Sequence, residues 1–169
     1  MNWDAIAAVA EATGAITIIV TLVYLALQVR KNTAAVRSTA TQGAHDQVSE
    51  FFGTLSTDPE LIMIVVRGCQ NPDELSEAEL GQFYSFHMRA MFNLQNWYLQ
   101  TQDKLMDEAL LSSWSRLVTG FSGTPGFKRF WDERGYIYSP KFSEYLETTV
   151  FTQTRHPKFK PLGVDLGKR

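Results

Sequence analysis

Apolar and polar positions are distributed unevenly along this chain. Residues 12 to 29, ATGAITIIVTLVYLALQV, contain no Asp, Glu, Lys, Arg or His. Adding AIAAVAE in front lengthens the apolar run and includes a single charge, Glu11. A bilayer core takes roughly 20 apolar residues in a helix, so the pattern predicts a transmembrane helix over 1–29. Trp3 and Tyr24 fall near its two ends, where amphipathic rings favour the membrane interface. Arg30 and Lys31 close it.

Two alternatives compete with that reading. A cleaved signal peptide needs a basic leading region, whereas here Asp4 and Glu11 precede the first Lys or Arg. A core helix of a soluble protein is normally shorter or more clearly one-sided.

Within the span, Ala10, Gly14, Thr17, Thr21, Tyr24 and Gln28 recur at alternating spacings of four and three. They therefore lie along one stripe of a helix. Ile16, Ile19, Val20 and Val23 face away from it. In lipid, small residues let backbones approach, and Thr or Gln can bond across an interface. The stripe is thus a candidate homo-oligomer interface. Thr hydroxyls bonding back to their own helix are the plainer alternative. Glu11 beside the stripe is read as a solvated headgroup-level carboxylate, or as a candidate pore mouth if the helices ring a channel.

Beyond the span, residues 30–57 lack proline and keep apolar residues near helical spacing, among them Ala44, Val48, Phe51 and Leu55. They predict a helical stalk that either projects the anchor or packs on the folded part. Cap-then-proline signals follow at Asp58-Pro59, Thr124-Pro125 and Ser139-Pro140. Ser76 with Glu79 forms a capping-box pattern that opens a long aromatic helix over about 76–103. Asp103 or Asp107 starts the next helix, and GFSGTPG (120–126) reads as a turn.

No segment alternates as a strand does. The expected fold is all-α: a transmembrane helix (1–29) and a stalk (30–57). A cytoplasmic bundle of about five helices (58–152) and a flexible basic tail (153–169) follow.

Composition refines this picture in three places. All 16 Lys and Arg lie at position 30 or later, and three of them follow the span at once. The positive-inside rule then puts the body in the cytoplasm and the N-terminus outside, in a bacterial inner membrane. Residues 30–169 carry 16 basic and 16 acidic groups, which speaks against nucleic-acid binding. The tail is locally basic, with Arg155, Lys158, Lys160, Lys168 and Arg169 against Asp165, and could touch anionic lipid.

Catalytic chemistry is hard to find. Cys69 stands alone, and its place at a helix end offers nothing to make a thiolate. His45, Asp46 and Glu50 do not have helical metal-ligand spacing. No cofactor or metal site is expected, and no enzyme. On the aromatic helix, Phe83, His87, Phe92 and Trp97 are a candidate ligand pocket, with His87 read either as a core residue or as a functional one.

The span ends in Tyr24, Leu25, Ala26, Gln28, Arg30, Asn32 and Thr33. With the later DPEL and RG, this run resembles a widespread, uncharacterised group of small bacterial single-pass membrane proteins whose apolar helix ends in a Tyr-Leu-Ala-x-Gln-x-Arg-x-Asn-Thr-like motif. The resemblance covers most of the chain, to about position 150; it implies a membrane-resident N-terminal helix and contributes no catalytic residues. Three roles follow in order: a membrane-anchored oligomeric scaffold or interaction module, a small-ligand sensor using the aromatic helix, and a homo-oligomeric channel.

Overall fold

The computed structural model describes residues 2–163. It is all-α, a long N-terminal helix followed by several shorter ones that form a compact bundle. Helix α1 runs Trp3–Thr57. It is followed by α2 (Pro59–Gln70), α3 (Glu77–Gln102), α4 (Glu108–Ser122), α5 (Pro125–Arg134) and α6 (Pro140–Tyr145). Short 3-10 turns sit at Pro72–Glu74, Gly135–Ile137 and Pro161–Gly163, and a π-turn at Leu146–Val150 follows α6.

The chain divides into two units, Met1–Ala40 and Thr41–Arg169. From Trp3 on, the first is helix only. No proline interrupts it. The hydroxyls of Thr13, Thr17 and Thr21 each donate to the carbonyl four residues earlier, at 2.8 Å. Its apolar side chains are exposed on every side, Ile16, Ile18, Ile19 and Val20 each by about three-fifths. Four residues at these positions, 100° apart per residue, cover most of the circumference.

The second unit carries the core and begins at residue 41, so the last turns of the expected stalk belong to the bundle. Ala44, Phe51 and Leu55 are buried in the same cluster as the residues of α2 to α6. Gln47 accepts a 2.9 Å bond from the indole N–H of Trp97, fifty residues away.

Asp58 ends α1 and starts α2. Its carboxylate accepts from the Leu61 backbone N–H at 2.9 Å, and Pro59 occupies the first helical turn. The capping box of α3 is complete, with Ser76 and Glu79 bonded reciprocally. Asp107 and Thr124 cap α4 and α5, whereas Ser139 makes no side-chain cap at α6.

Helix α3 packs on α2, α4 and α5. Its residues Phe83, Met91, Leu94 and Trp97 are almost wholly buried. Burial of such side chains contributes on the order of 1.5–3 kcal/mol each. Two surface clips hold the outer elements. Arg129 bonds Asp73 at 2.7 Å and Glu133 at 2.9 Å, and Glu133 also accepts from the Tyr84 hydroxyl at 2.7 Å. Arg67 pairs with the capping Glu79. The Ser76 backbone N–H, followed by Arg67, holds the Glu79 carboxyl down at about 2.

GFSGTPG holds the expected turn between helices, confined to Gly123 and Thr124: Gly120 and Phe121 are buried in α4, and Thr124 caps α5. The described part of the tail makes contacts with the bundle. Phe159 packs edge-on against Phe121, 5.3 Å between centroids, and seats its ring where a Gly120 side chain would stand. Arg155 lies 5.0 Å over the Phe159 ring. Lys168 and Arg169 lie outside the described residues.

Candidate functional site

Three places carry the candidate residues. The first is the stripe on α1. Ala10, Gly14, Thr17, Thr21, Tyr24 and Gln28 are all exposed, and a side chain added at Gly14 would meet nothing within 4 Å. Thr17 and Thr21 spend their hydroxyl protons on their own helix. What they can offer a partner is an oxygen acceptor and a methyl group, together with close approach at Gly14. Glu11 is exposed next to this stripe.

The second place is the aromatic helix. Phe83, His87, Phe92 and Trp97 do not line one cavity. Phe83 and His87 are i, i+4 neighbours with centroids 4.5 Å apart. Phe92 lies five residues on, about 140° further round the helix, is 44% exposed and packs at a tilt against Tyr138, 5.1 Å between centroids. Trp97 packs with Trp114 at 5.2 Å.

His87 is enclosed by Phe83, Phe86, Phe121, Phe127 and Phe130, all with centroids within 5.6 Å. Its Nε2 is buried without a hydrogen-bond partner among the described residues. Burial alone pushes the imidazole down to about 3, so it is neutral at physiological pH. The void beside it is about 20 Å³, far below the few hundred needed for a ligand. His87 is a core residue.

The third place was not visible in the sequence. A groove of about 470 Å³ opens between the end of α1 and the first half of α3. Helix α1 contributes Phe51, Thr54 and Leu55, one face at helical spacing, and Asp58 at the cap of α2 continues it. Helix α3 contributes Ala78, Gly81, Gln82, Ser85, Phe86 and Arg89, another such face, and Leu61 closes one end. Gly81 keeps the wall low, since a side chain there would meet nothing within 4 Å.

Phe51, Leu55 and Phe86 are buried and form the apolar floor. At one end Arg89 donates to the Thr54 hydroxyl at 3.2 Å, pairs with Glu50 at 3.0 Å and lies 5.9 Å over the Phe51 ring. The two faces could be found only as helical stripes. Their meeting depends on an approach of residues thirty-five apart, which no local pattern encodes.

Among the described residues there is no cluster of three His, Cys, Asp or Glu suited to a metal. Cys69 is buried, and burial pushes its thiol up to about 12, which removes it as a nucleophile. His45 and Asp46 are exposed, and Glu50 is engaged by Arg89. No family model, no curated protein and no solved structure matches this chain. The Tyr24 to Thr33 run is therefore a pattern on α1 with no matched family behind it.

Proposed function

We propose that this chain is a membrane-anchored, self-associating helical module without enzymatic activity, which acts as a scaffold or interaction protein. The observation that supports the anchor is the apolar stretch of α1. It is long enough to cross a bilayer, and none of it is buried by the rest of the chain. In water, exposed side chains such as Ile18, Ile19, Leu22 and Leu25 would each forgo about 1.5–3 kcal/mol of burial. One partner helix covers one stripe. Apolar residues on every side suit acyl chains.

The basic flank Arg30, Lys31 and Arg37 orients the helix with the bundle in the cytoplasm of a bacterial cell and the N-terminus outside the inner membrane. Lipid is the first partner. Lys158 is exposed in the tail, where it can meet anionic headgroups.

The second partner is another copy, met along Ala10, Gly14, Thr17, Thr21, Tyr24 and Gln28. Replacing Gly14 and Thr21 together by Leu widens that stripe by two branched side chains. The expected result is a fall in protein mass to that of one chain, measured by light scattering in mild detergent with the detergent contribution subtracted. An unchanged oligomer mass counts against the interface, and a single-chain mass for the parent protein counts against self-association itself.

A further inference from the structure

We propose that the groove between α1 and α3 binds a small amphipathic monocarboxylate, with its head on Arg89 and its apolar body on Phe51, Leu55 and Phe86. This goes beyond the anchoring role and does not depend on it, since every lining residue belongs to the bundle unit.

Five observations carry the proposal. The volume, about 470 Å³, lies in the range of small-molecule sites. The lining spans Ala78 to Arg89 of α3, eleven residues or about 16 Å of helix, which suits an extended chain more than a compact ring system.

The charge is placed at one end. Arg89 is the single cation of the lining, which fits one negative charge better than a phosphate dianion. Asp58 lines the groove too, but its carboxylate is committed to capping α2, so an anionic head is disfavoured beside it. This polarity sets the ligand's direction.

Arg89 already holds a carboxylate in the required manner. Glu50 sits 3.0 Å from its Nη2 with its side chain 76% exposed, and Thr54 fixes Nη1. A ligand head takes the place of Glu50, and Glu50 turns out to water at little cost because an exposed ion pair contributes about 0–1 kcal/mol. Finally, Gly81 leaves the middle of the groove unobstructed.

The test uses the full-length chain in lipid nanodiscs, titrated with sodium decanoate in a calorimeter, with empty nanodiscs as the blank. The expected result is saturable binding of one decanoate per chain, at least tenfold tighter than decanol. Arg89→Gln weakens it by tenfold or more. Glu50→Gln, which removes the competing carboxylate and leaves Arg89 in place, strengthens it several-fold. Gly81→Leu, pointing into open space and so sparing the fold, abolishes it. No saturable heat above the blank, equal binding of decanol, or equal affinity in all three variants would overturn the proposal. Thermal melting of each variant separates a lost site from a lost fold, and the Glu50→Gln gain cannot arise from misfolding.

Discussion

Gly126→Ala is expected to destabilise the bundle by about 3 kcal/mol, lowering its melting midpoint by roughly 10 °C. Gly126 is buried in the first turn of α5, where α5 meets α2. A Cβ on it would overlap the carbonyl oxygen of Gly68 and stand 2.8 Å from the Gly68 carbonyl carbon and 3.0 Å from the Phe83 ring. Gly68 is itself confined, with a Cβ there falling 2.5 Å from the Phe83 ring. Two backbones are therefore in contact, and neither can move aside as a flexible side chain would.

The same substitution at Gly81 should act in the opposite direction. Gly81 lies in the interior of α3 with open space around its missing side chain. Gly81→Ala should stabilise by about 0.5–1 kcal/mol through helix propensity alone. Thermal or urea melts of the two variants beside the parent check both signs. Equal effects would show that the Gly68–Gly126 approach does not govern the packing.

Acidification should weaken the bundle through His87. Its folded-state pKa is about 3, and burial in the phenylalanine cage is the cause. The unfolded chain titrates near the ordinary value of about 6.5. Between these limits the unfolded state binds more protons than the folded state. The stability is fully present above about pH 6.5 and is lost progressively as pH falls toward 3. The loss over that window is on the order of 4 kcal/mol.

His87→Phe and His87→Leu remove this titration. Both should flatten the stability profile between pH 6.5 and 5, and His87→Leu does so without adding a larger ring to the cage. The carboxylate of Glu79, held at about 2 by the Ser76 N–H and Arg67, loses its contribution from about pH 4.5 downward, so the slope above pH 5 belongs to His87 and the two losses overlap below it. A parent profile that is flat over this window, or variants that retain its slope, would contradict the neutral, caged imidazole.

The local signals in the sequence were legible because each is a short-range bond. Asp58-Pro59, Ser76 with Glu79, Asp107 and Thr124-Pro125 mark helix starts because a side-chain oxygen must reach an N–H two or three residues on. The all-α class and the central place of α3 followed from helical periodicity in the same way.

What stayed hidden was long-range. Gly120 resembles a turn glycine in sequence, but it is a seat for Phe159, thirty-nine residues later. Residues 41–57 continue α1 without a break, so the apolar face of Ala44, Phe51 and Leu55 was legible while its choice between projecting and entering the core was not. The aromatic helix is apolar round so much of its girth that the exposed side of Phe92 and the buried side of Trp97 read alike. The groove is the clearest case. Each wall is an ordinary helical stripe, and only the pairing of Arg89 with Thr54 and Glu50 turns them into a site.

The anchoring role rests on where α1 partitions. The direct measurement is to express the full-length chain, collect the membranes, wash them at alkaline pH and then in urea, and follow the protein between pellet and supernatant. Lipid-embedded α1 predicts that the chain stays with the pellet through both washes and is released only by detergent. Recovery in the wash as a monodisperse, detergent-free species would contradict the account, because the apolar surface around Ile16 to Val29 would then be covered by protein and not by lipid.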